Sequence, residues 1–447
     1  MRPRAIATTL VLVCGIAVMV GAQATQTSDR SPVDPALDAF IAKIRAVDNH
    51  THANTTSPDD SEYDALPLDA LLPFPFPVRL RPESPNWLAA DRTLYGYPHA
   101  DLNEPHVIEL RRTRERVAEE QGDRFPAWVL DRVGTEVMLA NRVAMGPGLA
   151  PPRFRWVSYV DALMLPLSTK AEAAASSDRA KLYPFEEKLL RRYLADLNVA
   201  ALPPTLDVYL RAVVTPTLER QRKGGCVAVK FEAAYLRSLD FDDAPAETAS
   251  RVYSRYVAGG EPPRAEYKAL QDFLFRYIAR ESGRLGMAVH IHSFEGAGVF
   301  YRAAGSDPLL LESSFNDPTL SGTNFVIVHG GGVYAPRAGA MLWKPNVYLD
   351  TSAMGLIYPP AKLARVLEDW LIQFPEKVLF GSDAAAFGPD IGWEVAAWVG
   401  TTTARHALGI ALTDMMRNGD VSRARAEEIA TMVLRTNAGK LYNLRLP

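Results

Sequence analysis

From about residue 40 to the C-terminus, short runs rich in apolar and β-branched residues alternate with longer stretches whose apolar positions recur three and four apart. The runs are Arg45–His50, Glu136–Val143, Arg155–Leu163, Cys226–Phe231, Met287–His292, Phe325–His329, Val347–Asp350 and Val378–Gly381. Helical spacing is clearest in Leu206–Arg222, Arg264–Arg284, Ala361–Phe374 and Ala424–Leu441. Strands alternating with helices predict a parallel sheet with helical crossovers, and eight such units predict an α/β fold of the (β/α)8 TIM-barrel type. A barrel of this kind uses about 250 residues, so a chain of 447 carries a large excess.

Most of that excess falls in two places. One is Ala53 to about Val133, after the first strand, where proline and aromatic residues cluster as in Phe74-Pro75-Phe76-Pro77. The other is Leu236–Glu261, after the fourth strand. Both leave from C-terminal strand ends, the face on which barrel loops build active sites, so both are expected to wall or cover a pocket. The barrel is expected to form one domain over residues 40–447, with residues 25–39 as a linker.

The N-terminus follows a different pattern. Arg2 and Arg4 precede an uncharged run from Ala5 to Val20, and Ala22-Gln23-Ala24 follows. This is the layout of a cleavable secretory signal over residues 1–24. The expected destination is the periplasm or the exterior, with no stable membrane anchoring after cleavage. Cys14 leaves with the signal, so Cys226 has no partner within the chain for a disulfide. The full chain, 48% hydrophobic and 23% charged, has the composition of a globular protein. A net charge of −3 gives no basic footprint for nucleic acid. The expected partner is a small-molecule substrate, and the pattern is equally compatible with a monomer or a homo-oligomer.

Candidate chemistry lies at the strand ends. His50 and His52 close the first strand, and a spacing of two puts both imidazoles on one face of an extended chain. His290 and His292 close the fifth strand, His329 the sixth, and Asp383 follows the eighth. Five of the eight histidines therefore sit where a barrel gathers side chains around one axis. His99, His106 and His406 stand outside the pattern and read as surface residues. Gly330-Gly331-Gly332 lacks the spacing of a dinucleotide loop and reads as a tight turn beside the pocket. There is no Gly-x-Ser-x-Gly elbow, and Cys226 opens a buried strand, so a serine or cysteine nucleophile has no support.

His50-Thr51-His52 followed by His292, His329 and Asp383 on later strands resembles the amidohydrolase superfamily of metal-dependent barrels. Val229-Lys230-Phe231-Glu232-Ala233-Ala234-Tyr235, Asp307-Pro308-Leu309-Leu310, Asn346-Val347-Tyr348-Leu349-Asp350 and Leu434-Arg435-Thr436-Asn437-Ala438 resemble its amidohydrolase-related branch. That branch includes domains fused ahead of glutamine-synthetase-like domains, along with hydrolases and nonoxidative decarboxylases. The resemblance implies that His50, His52 and Asp383 hold a divalent metal, zinc above others, with His292 as a further ligand. His290 faces inward as well, so it is either that ligand in place of His292 or a histidine hydrogen-bonded in a lower layer of the barrel. Lys230 is either the carbamylated bridge of a two-ion site, with His292 and His329 on the second ion, or a lysine whose stem packs in the barrel mouth while its ammonium forms a salt bridge or binds a substrate carboxylate.

The implied activity is hydrolysis of an amide or related C–N bond by water attack. Asp383 is then ligand and base, and His329 is either a general acid that stabilises the oxyanion or a second-ion ligand. A nonoxidative decarboxylase on the same ligands and an inactive binding barrel are the alternatives. Tyr235 and Arg237 after the fourth strand, and Tyr334 and Arg337 after the sixth, are candidates to contact substrate.

Overall fold

A computed structural model describes residues 33–447 apart from 58, 59, 61 and 389. The expected signal and Cys14 lie outside the described residues. Eight strands follow one another in a single sheet in chain order. They are β1 Ala46–Thr51, β2 Thr135–Asn141, β3 Phe154–Tyr159, β4 Cys226–Phe231, β5 Ala288–His292, β6 Phe325–Val328, β7 Val347–Asp350 and β8 Val378–Leu379. Every neighbouring pair is parallel.

The segment after β8 then meets β1. The backbone N–H groups of Asn49 and Asp383 donate to Phe380 and His50 carbonyls at 2.9 Å, and that of His52 donates to Ala384 at 2.7 Å. The eight strands thus form a nearly closed barrel, as the alternation predicts. Helices cover the outside, so strands such as Cys226–Phe231 are buried on both faces.

The ends of β3, β6 and β8 fall short of the sequence pattern near the site. The apolar run beyond Tyr159 does not extend β3. Asp161–Met164 turns into a short helix instead, and Asp161 accepts a hydrogen bond from the Glu232 backbone N–H at 2.7 Å. β8 stops at Leu379 because Phe380–Ala384 pairs irregularly with β1. His329 lies one residue past β6, in the turn.

Among the helices, Arg264–Arg284 matches its predicted bounds and buries Leu270, Leu274 and Ile278 one turn apart. The expected helix from Leu206 has a π turn at Leu210–Val214 before Thr215–Lys223. Pro216 lacks the N–H that would continue the regular ladder there. The 26-residue helix Trp393–Asn418 escapes a search for amphipathic spacing because it buries residues all round, among them Val395, Val399, Leu408 and Leu412. Among the described residues, no helix is long and apolar enough to cross a membrane.

The stretch read as a linker, residues 25–39, ends in a helix, Pro35–Lys43, that runs on into the barrel domain. Asp34 caps it by accepting from the Ala36 and Leu37 N–H groups at 3.0 Å, and Leu37 and Ile41 are buried. The insertion after β1 carries helices Pro85–Tyr95 and Glu104–Gln121. Trp87 and Leu94 of the first share one apolar cluster with Val395 and Val399, so the insertion packs on the barrel.

Candidate metal centre

The C-terminal ends of β1 and β8 bring three donors together. Asp383 Oδ1 lies 3.2 Å from His50 Nε2 and 3.6 Å from His52 Nε2. Among the described residues these are the three whose ligand atoms all fall within 4.8 Å of one another. His329 and His292 complete the histidine group. The His329 ring centroid is 5.1 Å from that of His50 and 4.7 Å from that of His292. Lys230 is fully buried, with Nζ 3.4 Å from His50 Nε2.

Local backbone holds two of these side chains in unusual conformations. His329 has φ 66° and Asp383 φ 57°, a left-handed region that costs a non-glycine residue roughly 1–3 kcal/mol. Gly330, Gly331 and Gly332 follow, all with positive φ. A Cβ on Gly330 would stand 2.3 Å from the Trp370 ring and 2.9 Å from the Asp350 carbonyl. The glycines allow the turn, as their sequence implies. Gly330→Ala is therefore expected to destabilise the protein by about 2–5 kcal/mol through strain and overpacking together. An unchanged thermal midpoint for that variant would refute this account of the turn.

The electrostatics suit a cation. Burial, followed by the neighbouring Lys230 and imidazoles, pushes His50 and His292 well below the ordinary histidine range, so both are neutral. Burial does the same to His329, against the pull of Asp383. Neutral imidazole is the ligating form. His292 Nε2 is buried without a hydrogen-bond partner, a cost of about 1–3 kcal/mol that a bound ion would remove. The donor set of imidazole nitrogens and one carboxylate fits a divalent ion of the zinc class. Burial also lowers the Lys230 pKa, against the opposing charges of Glu232, Asp383, Asp350 and Asp64.

A shell of residues that the sequence did not single out orients the group. Asp64, from the insertion after β1, lies 3.8 Å from His52 Nδ1, and the Tyr159 hydroxyl lies 3.2 Å from the same atom. The Asn141 amide is 2.8 Å from His50 Nδ1. Such partners fix ring orientation and basicity in metal sites. Behind Lys230, burial pushes Asp161 up to about 7 and Glu232 well above the usual range. No spacing signal marks these residues, because they come from separate strands and an insertion.

Of the residues expected to touch substrate, Tyr235 reaches the centre, its ring centroid 4.3 Å from that of His292. Arg237 is placed differently from its sequence expectation. It is buried, donates to Asp272 at 2.6 Å and Gln271 at 2.9 Å, and lies 4.4 Å above the Phe241 ring. With further bonds to the Ser238 and Asp240 carbonyls, four of its five N–H groups are engaged by protein partners. Arg337 pairs with Asp307 and lies 5.8 Å from the Tyr334 ring, and neither residue forms a hydrogen bond or ring contact with the histidine group. His290 is bound to the Tyr442 hydroxyl at 2.6 Å below the centre.

A family model described as amidohydrolase matches residues 199–444. That segment contains Lys230, His292, His329 and Asp383. Protein fluG of Emericella nidulans is 27% identical over a 232-residue alignment that covers 49% of this chain and 26% of that protein. The chain thus matches about a quarter of the length of this relative. Among solved structures, a candidate metal-dependent hydrolase from Lactobacillus casei ATCC 334 is similar with a TM-score of 0.55 at 15% identity, covering 92% of this chain and 98% of the other. Uronate isomerase of Thermotoga maritima gives 0.54 at 15% identity, covering 91% and 96%. Glucuronate isomerase of Caulobacter crescentus gives 0.52 at 14% identity, covering 93% and 96%. At these identities the likeness is one of fold.

Proposed function

Because this chain belongs to the amidohydrolase family, we propose that it is a metal-dependent hydrolase that cleaves an amide or related C–N bond with water. The observation that carries the reading is the convergence of His50, His52 and Asp383 at the mouth of a barrel, with neutral His292 and His329 beside them. A divalent ion held by this set, zinc by preference, supplies Lewis acidity toward water and toward a carbonyl oxygen.

The chain's own residues do the rest. Asp383 turns Oδ1 to both imidazoles, which leaves Oδ2 to take a proton from the attacking water and return it to the leaving nitrogen. His292 offers its unpartnered Nε2 as a further donor. Tyr235 beside it forms an aromatic wall against which an acyl group can lie. Lys230 is the residue that sets ion number. As an ammonium it balances Glu232 and Asp383 in a one-ion site, and as a carbamate it would bridge two ions. The three-donor group favours the first arrangement, and the depressed amine pKa favours the second. Native mass spectrometry decides between them, since the carbamate adds the mass of carbon dioxide.

The reading includes action outside the cytoplasm, supported by the charged, apolar and small-residue order of residues 1–24. A product assay tests the chemistry. Incubated with a panel of N-acyl amino acids and primary amides, the zinc-loaded protein is expected to release amine or ammonia and to lose that activity on chelation. Carbon dioxide from aromatic or unsaturated acids would instead establish a decarboxylase. Binding without any product would establish an inactive barrel.

A further inference from the structure

Behind His329 runs a buried set of hydrogen bonds in which the direction of each bond can be assigned. Asp350, at the end of β7, is fully buried. Its Oδ1 accepts from the backbone N–H of His329 at 2.8 Å, the backbone N–H of Ser352 at 3.1 Å and the hydroxyl of Ser352 at 2.5 Å. Its Oδ2 accepts from the Asn49 amide at 2.7 Å. Every neighbour donates to it, so it stands as an acceptor-only carboxylate.

This constrains the histidine. The Ser352 hydroxyl has one proton and gives it to Asp350, so toward His329 Nδ1, 2.9 Å away, its oxygen can only accept. The proton in that contact therefore belongs to Nδ1. A neutral imidazole with Nδ1–H presents Nε2 as a bare lone pair. The same logic runs the other way from Asp350. Asn49 commits its amide nitrogen to Asp350, so its oxygen accepts from the Tyr442 hydroxyl, which in turn accepts from His290 Nε2. Both ends of the network are thereby fixed.

We propose that Ser352 and Asp350 are positioning residues that hold His329 in the Nδ1–H tautomer, so that its Nε2 meets the histidine group as a proton acceptor or ligand and not as a donor. The consequence for the reaction rests on the hydrolase reading above. The first proton to involve His329 moves onto Nε2, which suits attack by water and disfavours any scheme that opens with His329 protonating the substrate. The general-acid role for His329 then belongs only to a later step, after that proton has been gained.

The test is ¹⁵N NMR of the full chain labelled at histidine, metal-free and zinc-loaded, with His329→Gln identifying the resonance pair. The expected spectrum shows a protonated Nδ1 and a pyridine-type Nε2 for His329. Ser352→Ala is expected to move the ring toward the Nε2–H form and to lower kcat by about 10–100-fold, the range found when outer partners of a metal-site histidine are removed. KM should change little, and Ser352→Thr should restore both tautomer and turnover. An Nε2–H spectrum in the unaltered protein overturns the inference whatever the variants do, as does an unmoved tautomer in Ser352→Ala. The spectrum needs no substrate. An Nδ1–H spectrum in a protein that cleaves no amide would uphold the tautomer and reject the hydrolase reading.

Discussion

Asp383→Asn is expected to lower turnover by about 10³-fold or more while leaving the barrel folded. Two losses combine. The amide is a poor proton acceptor, and proton transfer by a positioned side chain contributes about 10²–10⁴-fold in enzymes. The charge that faces both His50 and His52 also disappears, which weakens any divalent ion there. Stability should not suffer in parallel. Asp383 has φ 57°, and asparagine adopts this left-handed region readily. The metal-free variant is therefore expected to melt no lower than the metal-free parent. Turnover within tenfold of the parent would remove Asp383 from the chemistry.

Arg237→Ala is expected to cost about 3–5 kcal/mol of stability, the range for removing one partner of a buried ion pair. Asp272 is 2% exposed and accepts from Arg237 at 2.6 Å, with Lys268 as its other cation at 2.7 Å. Alanine also empties the space over Phe241 and leaves Gln271 without its partner. The loss should depend on pH in a defined direction. Burial already raises the Asp272 pKa, with Arg237 and Lys268 opposing, and removing Arg237 raises it further. A carboxyl whose folded pKa lies above its unfolded value is tolerated best when protonated, below the unfolded value. That tolerance is lost as pH rises through the folded value. The variant should thus lie closest to the parent in acid and furthest from it near neutrality. Thermal midpoints of both proteins across pH 4 to 8 check this. An unaltered midpoint together with a raised KM would return Arg237 to the substrate pocket.

The contrast between these two residues shows what the sequence could and could not disclose. His50, His52 and Asp383 were legible because each ends a strand, and a barrel converts strand ends into neighbours. His290 and His292 were not separable in this way, since a spacing of two puts both on the inward face; the structure distinguishes them, with His290 bound to Tyr442 and His292 beside His329. Arg237 follows a strand too, but its neighbours Asp272 and Gln271 lie on the helix Arg264–Arg284, and no local spacing announces that contact. Asp64, Tyr159, Asn141 and Ser352 were hidden in the same way, because each acts through a histidine that lies elsewhere in the chain. The helix Trp393–Asn418 was missed for a different reason. Burial on all sides removes the polar stripe that marks a surface helix. The helix Pro35–Lys43 carries a legible start in Asp34-Pro35, but its nine residues show too little periodicity to stand out.

The proposed hydrolase needs a divalent ion at the mouth of this barrel, on His50, His52 and Asp383. Metal content per chain tests it most directly, measured by elemental analysis after zinc loading and removal of loosely held ion. The same measurement on a His50→Ala, His52→Ala double variant provides the comparison. At least one tightly held equivalent is expected in the parent, and its loss in the double variant. A parent that retains no metal, or a double variant that retains as much as the parent, would contradict the proposal.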